Sequence, residues 1–274
     1  MESRKAIKDR FAGRVAIVTG GSSGIGKSIL EELCKEGAKV VFSGTKPVGF
    51  EIAEELKAQG YEAIYCQGDM IEEDFCQKVV DTAVENFGHI DHLVNNAFSF
   101  NRKAFDAKTE DWQRAFFVGP VGYVRMIQKC LPYFPETGGS IVNMSSISAH
   151  IAQIQSWTYN AAKGAVDQIT KNVALDLGSR KIRVNSISPA WIWSREVHKA
   201  ADLDGGGKEK WDPIWGQYHM LERCGECVEV AGPVLFLLSD DASFITGTDL
   251  PIDGGYLAMG PEGLGKTASF AGSN

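Results

Sequence analysis

The strongest constraint on the fold is a regular alternation of short apolar segments with longer amphipathic ones. Seven apolar segments follow one another, at residues 15–18, 40–42, 63–65, 92–94, 140–144, 183–186 and 249–252. Between the first two, apolar residues recur at helical spacing, and Gly37 follows as the residue that ends such a helix. Apolar strands alternating with helices indicate a parallel sheet covered on both faces. We therefore expect an α/β fold with a doubly wound parallel sheet of about seven strands.

Composition excludes several classes of protein. The chain has 274 residues and a net charge of −7, with no run of Lys or Arg longer than two. Such a chain lacks the basic surface that binds nucleic acid, and anionic membranes repel it. No stretch approaches the ~20 apolar residues of a membrane helix, and the first residues are charged rather than apolar. We expect a cytoplasmic protein that binds neither nucleic acid nor membrane.

Two segments interrupt the alternation. Residues 191–223 lie between the last two predicted strands and are rich in tryptophan. Ligands bind at the carboxyl ends of the strands in doubly wound sheets, so this insertion is predicted to be a substrate lid. The alternative is that its aromatic residues fill a core beneath a loop. Residues 260–274 are small and polar, and are expected to form an extended or disordered tail.

The six cysteines are expected to be reduced, because disulfide frameworks belong to small secreted domains. Cys224 and Cys227 form a CGEC sequence. A zinc site needs two more ligands at comparable spacing, and a redox pair normally opens a helix directly after a strand. Neither context is present, so we expect a structural role for this pair and no metal site.

A glycine-rich turn follows the first predicted strand, with the sequence TGGSSGIGKS at residues 19–28. Such a turn lets the backbone approach a phosphate, and the N-terminus of the next helix holds its charge. Residues 21–28 match the P-loop pattern GxxxxGK[ST]. Gly20, Gly24 and Gly26 match TGxxxGxG, a dinucleotide-binding variant.

The context favours the dinucleotide pattern. A P-loop NTPase needs a later strand that ends in an acid to hold magnesium. The best buried strands end instead in Asn95-Asn96 and in residues 143–145, Asn-Met-Ser. The P-loop pattern also recurs at residues 260–267, where no strand precedes it. A P-loop NTPase remains the less favoured alternative.

Tyr159 and Lys163 are four residues apart in a segment that favours a helix, which places phenol and ammonium on one face. A neighbouring ammonium lowers the pKa of a phenol toward a range useful for proton transfer. The spacing alone also arises by chance. It gains weight because Ser146 lies thirteen residues earlier, just past the strand predicted at 140–144.

Together these motifs resemble the short-chain dehydrogenase/reductase family over residues 13–255. The resemblance rests on TGGSSGIG (19–26), GDM (68–70), NNA (95–97), NMSS (143–146), YNAAK (159–163), SPAWIWS (188–194), ITG (245–247) and DGG (253–255). It implies a Rossmann-fold oxidoreductase that interconverts a secondary alcohol and a ketone with NAD(P), and a homo-oligomer, commonly a tetramer. Because the first and last motifs belong to one sheet, residues 1–274 are expected to form a single domain.

The resemblance also implies roles for individual residues. Tyr159 would act as general acid/base, Ser146 would hydrogen-bond the reacting oxygen, and Lys163 would lower the pKa of Tyr159 and bind the nicotinamide ribose. The predicted cofactor contacts are Gly20, Ser22, Ser23, Gly24, Ile25, Gly26, Thr45, Lys46, Asp69, Met70, Asn96, Ala97, Tyr159, Lys163, Pro189, Ile192 and Ser194.

Three positions depart from the family pattern. Gly119 stands where the family usually has a proton-relay asparagine, and Pro120 is expected to disturb the same helix. Phe98 replaces the glycine of NNAG, which places a bulky ring near the nicotinamide. Ala190 replaces the glycine of the usual PG pair and adds only a methyl group. These departures leave a non-catalytic cofactor-binding protein as an alternative.

The second strand bears on the choice of cofactor. NAD-preferring sites place an acid at the end of this strand, ~20 residues past the glycines. Here residues 40–46 contain no acid, and the next is Glu51. Lys46 and the hydroxyl of Thr45 could meet a 2′-phosphate, although Ser23 offers no second basic group. NADP(H) is therefore predicted over NAD(H).

The substrate is only loosely constrained. Aromatic residues suited to stacking on a ring or on the C–H face of a sugar predict a cyclic alcohol or ketone, such as a sugar, a ring diol or a steroid-like molecule. The candidate substrate contacts are Phe98, His150, Trp157 and Trp193.

Overall fold

Seven parallel strands form one sheet in this computed structural model, which describes residues 4–264. They are β1 (Val15–Val18), β2 (Lys39–Gly44), β3 (Ala63–Gln67), β4 (His92–Asn95), β5 (Gly139–Met144), β6 (Ile182–Pro189) and β7 (Asp249–Ile252). Their order is β3-β2-β1-β4-β5-β6-β7, and each neighbouring pair runs parallel. The predicted doubly wound α/β fold is confirmed.

Helices connect the strands and cover both faces of the sheet. They are α1 (Gly24–Lys35), α2 (Val48–Ala58), α3 (Glu73–Phe87), α4 (Thr109–Val118), α5 (Pro120–Cys130), α6 (Trp157–Leu177), α7 (Arg195–Leu203), α8 (Gly207–Gly216) and α9 (Cys227–Leu238). Within residues 4–264, none of these helices has the length and apolar character needed to cross a membrane.

Successive residues of β1 point to opposite faces of the sheet and supply two separate cores. Ala16 and Val18 pack with α1, α2 and α9, whereas Val15 and Ile17 pack with α3, α5 and α6. All four side chains are completely buried. Burial on both faces explains why these strands are continuously apolar in sequence rather than alternating.

The sheet has its topological switch point at β1. The chain continues from β1 to β2 on one side and later returns to β4 on the other side. The connections leaving the carboxyl ends of β1 and β4 therefore diverge and leave a crevice, which is where ligands bind in open α/β sheets.

The segment 191–223 contains α7 and α8 and has a small core of its own. Trp193, Trp215 and Cys224 are buried in this core together with Ala201. Trp191 stacks on Trp215 with ring centroids 4.9 Å apart. This core agrees with the alternative that the aromatic residues of the segment fill a core beneath a loop. The role of the segment as a substrate lid stays a prediction. Of the predicted tail 260–274, residues 265–274 lie outside the described residues.

All six cysteines are free, as expected. Burial raises the pKa of Cys224 to about 12 and that of Cys227 to about 11. A reactive redox pair needs the opposite, a thiol whose pKa is lowered toward neutrality. The structural role expected for the CGEC sequence therefore agrees with its surroundings.

Glu36 ties the N-terminal segment to the end of α1. Its carboxylate is fully buried and accepts hydrogen bonds from Arg4 and Arg10, both at 2.6 Å, and from the backbone N–H of Ile7 at 3.0 Å. Removing one partner of a buried ion pair leaves the other charges desolvated without compensation.

We expect Glu36→Ala to lower the free energy of unfolding by about 3–5 kcal/mol, because Arg10 loses its carboxylate partner and Arg4 keeps only its ion pair with Glu32, at 2.6 Å, among the described residues. Glu31→Ala on the same helix is the matched control. Glu31 is partly exposed, and Lys27, at 3.5 Å, is its one ion-pair partner among the described residues, so its loss should cost less than about 1 kcal/mol. Urea unfolding of both variants measures the difference, and equal costs would contradict this account.

Candidate active site

A cleft of about 1190 Å³ opens at the carboxyl ends of the strands. Every cofactor contact predicted from the sequence lies in its wall, together with Ser146 and Phe98: Gly20, Ser22, Ser23, Gly24, Ile25, Gly26, Thr45, Lys46, Asp69, Met70, Asn96, Ala97, Tyr159, Lys163, Pro189, Ile192 and Ser194. Residues far apart in sequence therefore meet on one surface.

Hydrogen bonds between the ends of β1 and β4 hold the floor of this cleft. The hydroxyl oxygen of Thr19 accepts from the backbone N–H of Asn96 at 2.9 Å and from that of Ala97 at 3.0 Å. The side-chain amide of Asn96 donates to the carbonyl of Thr19 at 2.9 Å. The glycine turn and the segment after β4 are thereby fixed relative to each other.

The turn needs glycine at two of its positions. Gly20 has φ +69°, and a Cβ there would lie 2.9 Å from the Cα of Ala97. A Cβ on Gly26 would overlap the carbonyl oxygen of Gly20. Ser23, at the N-cap of α1, forms no side-chain cap, so the first N–H groups of the helix are available to an anion.

The P-loop alternative fits this turn poorly. The lysine of that pattern, Lys27, is not part of the cleft wall within the described residues. Its ammonium lies 3.5 Å from Glu31, one helical turn further along. The strands that border the cleft end at Asn95 and Met144, so neither ends in the acid that a magnesium site needs.

The end of β2 forms one end of the cleft and carries no acid. The strand ends at Gly44, and exposed Thr45 and Lys46 follow in the wall. The hydroxyl of Tyr65 donates to the carbonyl of Lys46 at 2.6 Å, and the amide of Gln67 donates to the carbonyl of Thr45 at 3.3 Å. These bonds fix the backbone of the loop, and the exposed side chain of Lys46 lies in the cleft wall.

The opposite end of the cleft holds Tyr159 and Lys163, one turn apart on α6. Lys163 is buried, and its ammonium donates to the carbonyl of Met144, the last residue of β5, at 2.7 Å. Burial lowers the pKa of Lys163 to about 7, against the opposing charge of Asp167. The amine thus titrates near neutral pH.

Tyr159 differs from the expectation in one respect. Burial raises the pKa of its phenol, and the groups that oppose this are a hydrogen bond with Ser146 and the guanidinium of Arg102. The sequence pattern assigned the lowering effect to Lys163 instead. The ammonium of Lys163 lies 5.7 Å from the centroid of the phenol ring, and its own charge is weakened by burial.

Ser146 belongs to a short chain of hydrogen bonds. Its hydroxyl donates to the hydroxyl of Ser148 at 3.1 Å, which donates to the side-chain carbonyl of Gln153 at 2.6 Å. Ser146 also accepts from the backbone N–H of Ser148 at 3.2 Å. Ser148 and Gln153 line the cleft as well, so this chain orients the hydroxyl of Ser146 and offers two further polar contacts.

Phe98 and Gly119 fit together where the family has glycine and asparagine. The helical path is interrupted at Gly119, because α4 ends at Val118 and α5 begins at Pro120. This interruption is the disturbance of the helix expected from Pro120. A Cβ on Gly119 would lie 2.6 Å from the ring of Phe98. The same ring lies 4.1 Å from the ammonium of Lys163. Phe98 therefore occupies the space beside Gly119 and packs directly against Lys163.

Of the four candidate substrate contacts, the structure places only Phe98 in the cleft wall described. His150 contacts Asp249 at 3.0 Å and Asp167 at 3.3 Å instead. Trp157 begins α6 and packs on exposed Phe105 outside the cleft.

Trp193 also lies away from the cleft. Its indole N–H donates to Asp212 at 2.6 Å, which holds the ring inside the core of the 191–223 segment. Trp191, two residues earlier, lines the cleft in its place. The aromatic rings that line the cleft in the described residues are those of Phe98, Phe100, Tyr159 and Trp191, and packing decided which rings face it.

Sequence reasoning missed the segment directly after NNA. Phe100 stacks on the ring of Tyr159 with centroids 5.6 Å apart, and Arg102 lies over the same ring at 4.8 Å. Both line the cleft. The signal available was the pattern Phe-x-Phe-x-Arg at residues 98–102, immediately after a strand whose carboxyl end borders the predicted site.

Comparison with known proteins agrees with this geometry. A family model described as "Enoyl-(Acyl carrier protein) reductase" matches residues 20–257. The chain is 36% identical to the NADP-dependent (R)-specific alcohol dehydrogenase of Lentilactobacillus kefiri, over 92% of this chain and 99% of that one. It is 35% identical to the trans-4-hydroxycyclohexanecarboxylate dehydrogenase of Sinomonas cyclohexanicum, over 92% and 96%.

Among solved structures, the ligand-free aldohexose dehydrogenase of Thermoplasma acidophilum superposes with a TM-score of 0.84 at 33% identity, covering 93% of this chain and 98% of that one. The sheet order and the cleft define a Rossmann-fold, NAD(P)-dependent oxidoreductase. The chain belongs to the short-chain dehydrogenase/reductase family.

The fit between Phe98 and Gly119 predicts coupled effects on stability. We expect Gly119→Ala to destabilise the fold by about 1–3 kcal/mol, because the new methyl group meets the Phe98 ring and the carbonyl oxygen of Ala115. In a Phe98→Ala background the cost should fall, with a coupling of about 0.5–3 kcal/mol. Urea unfolding of the four proteins completes the cycle.

Gly164→Ala serves as the control, because nothing lies within 4 Å of a Cβ at that helical position. It should stabilise the protein by roughly 0.5–1 kcal/mol. Strictly additive effects of the Phe98 and Gly119 substitutions would show that the two positions do not interact.

Proposed function

We propose that the protein interconverts a secondary alcohol and a ketone on a cyclic substrate, using NADP(H), with Tyr159 as general acid/base. The observation that carries this proposal is the meeting of Ser146, Tyr159 and Lys163 with the glycine turn in one cleft. Membership of the family gives NAD(P)-dependent oxidoreduction. The cyclic substrate and the general acid/base role of Tyr159 are the further content of the proposal.

The glycine turn fits a dinucleotide. Gly20 and Gly26 leave open the space that side chains would fill, and the uncapped start of α1 presents N–H groups to a pyrophosphate. Asn96 and Ala97 border the turn from β4, and Ile192 and Ser194 border it from the segment after β6. When bound, the nicotinamide cofactor supplies or accepts the hydride.

The protein's own groups handle the proton. In the oxidation direction, the phenolate of Tyr159 accepts the proton of the substrate hydroxyl, while Ser146 hydrogen-bonds the same oxygen. Burial disfavours the phenolate, and the hydrogen bond with Ser146 and the charge of Arg102 offset part of that effect. Lys163 is held by the carbonyl of Met144 at the base of the cleft, and its ammonium would bind the hydroxyl groups of the nicotinamide ribose.

A cyclic substrate is supported by the cleft wall and by two relatives. Phe98, Phe100 and Trp191 present aromatic rings that can pack on the C–H face of a ring. The Sinomonas relative is named for a hydroxycyclohexanecarboxylate, and the Thermoplasma structure is that of an aldohexose dehydrogenase. These two substrates share a ring that carries a secondary or anomeric hydroxyl group.

Three further proposals concern the assembly, the 191–223 segment and the location of the protein. A homotetramer is supported by apolar side chains left exposed on α4 and α6, among them Phe117 and Leu175. The lid role of 191–223 is supported by the position of Trp191 and α7 in the cleft wall. The cytoplasmic location remains a prediction from the sequence.

Tyr159→Phe should reduce turnover by roughly 10²- to 10⁴-fold, because it removes the proton carrier and preserves the ring. Cofactor affinity should stay near that of the unmodified protein. Steady-state rates with a secondary alcohol panel and a titration of cofactor fluorescence measure the two effects. Tyr133→Phe, remote from the cleft, is the control. A wild-type rate in Tyr159→Phe would remove Tyr159 from the mechanism.

The cofactor preference can be tested at Lys46. We expect Lys46→Gln to weaken NADPH binding by roughly 10-fold, since a charged hydrogen bond to the 2′-phosphate is lost, and to leave NADH binding unchanged. Lys57→Gln removes an exposed charge on α2, outside the cleft wall, and should change neither affinity. Calorimetric titration of the unmodified protein and both variants with NADPH and NADH measures all six dissociation constants. Equal or tighter binding of NADH by the unmodified protein would overturn the NADP preference.

A further inference from the structure

Arg102 lies beside the group that exchanges a proton with the substrate. The central carbon of its guanidinium is 4.8 Å from the centroid of the Tyr159 ring. Phe100 stacks on that same ring, and both side chains line the cleft. Any molecule whose hydroxyl reaches Tyr159 therefore lies within a few ångströms of a guanidinium.

No described carboxylate lies within ion-pair distance of Arg102. Its side chain is exposed to the cleft and forms no ion pair within residues 4–264. Nearby cations differ in this respect. Lys103 pairs with Asp106 at 2.9 Å, and Arg114, also in the cleft wall, pairs with Asp69 at 2.6 Å.

The phosphates of a dinucleotide do not account for Arg102. Two other exposed cations of the cleft are also without an ion pair in the described part of the chain, Lys46 and Arg195. Lys46 follows β2, and Arg195 opens α7 beside Gly24 of the glycine turn. Both lie where the cofactor's phosphates are proposed to bind, whereas Arg102 lies at the Tyr159 end.

We infer that Arg102 binds a carboxylate of the substrate, so that the protein acts on a cyclic hydroxy acid and its keto acid. The inference rests on the proposed function. A guanidinium forms two parallel hydrogen bonds to a carboxylate, which fixes orientation as well as charge. With the carboxylate on Arg102 and the ring against the aromatic wall, the substrate hydroxyl is directed to Tyr159 and Ser146.

The test compares acids with neutral partners of the same shape. The probes are 4-hydroxycyclohexanecarboxylate with its methyl ester, and glucuronate with glucose. The quantity measured is the ratio of kcat/KM for the acid to that for its neutral partner. Any effect of Arg102 on the pKa of Tyr159 applies to both members of a pair and cancels in this ratio.

We expect the unmodified protein to prefer the acid, and Arg102→Gln to lower the ratio by about 10- to 100-fold. Arg102→Lys should recover part of it, since it keeps the charge and loses the second hydrogen bond. Lys103→Gln, which removes the neighbouring charge outside the cleft wall, should leave the ratio unchanged.

A ratio that Arg102→Gln leaves unchanged would overturn this inference, as would turnover of the neutral probes alone, and the proposed alcohol oxidation would still stand. Failure of every probe in a preparation that binds NADPH would overturn the proposed cyclic substrate and this inference together.

Discussion

The hydrogen bonds that join Thr19, directly after β1, to Asn96 and Ala97, directly after β4, are the contacts on which the rest of the site depends. β1 and β4 are paired neighbours in the sheet, but the connections that follow them diverge at the switch point, so non-covalent contacts must fix the position of one relative to the other. One threonine hydroxyl accepts from two successive N–H groups, and the amide of Asn96 returns a bond to the Thr19 carbonyl. The glycine turn therefore stands at a fixed distance from the segment that carries Phe98 and Arg102.

The Tyr159 end of the cleft combines burial with few counter-charges. Lys163 loses hydration, and its ammonium contacts the carbonyl of Met144 and the face of the Phe98 ring, with Asp167 as a more distant opposite charge. The amine of Lys163 therefore binds its proton weakly at neutral pH. Arg102 supplies a permanent positive charge beside the phenol ring. The guanidinium of Arg102, together with the hydrogen bond from Ser146, therefore opposes the effect of burial on the pKa of the Tyr159 phenol.

Much of this could be predicted from the sequence, because strands and motifs are local. All seven predicted strands overlap observed ones, and each predicted cofactor contact lines the cleft, since parallel strands bring their carboxyl ends to one edge. The misplaced residues depended on packing between distant elements. Trp193 turns inward to reach Asp212, nineteen residues away, and His150 turns to Asp249, ninety-nine residues away. No local pattern encodes such partners.

The stacked tryptophans of residues 191–223 pack mainly on one another and stabilise this segment from within. Trp211 and Trp191 both stack on Trp215, at 5.0 and 4.9 Å, and Trp193 is fastened within the same segment. A region with a core of its own can accept mutations in α7 and α8 without disturbing the strands or the predicted cofactor contacts Ile192 and Ser194. Natural variation or protein design can therefore change the shape of one wall of the cleft while the strands and the glycine turn stay the same.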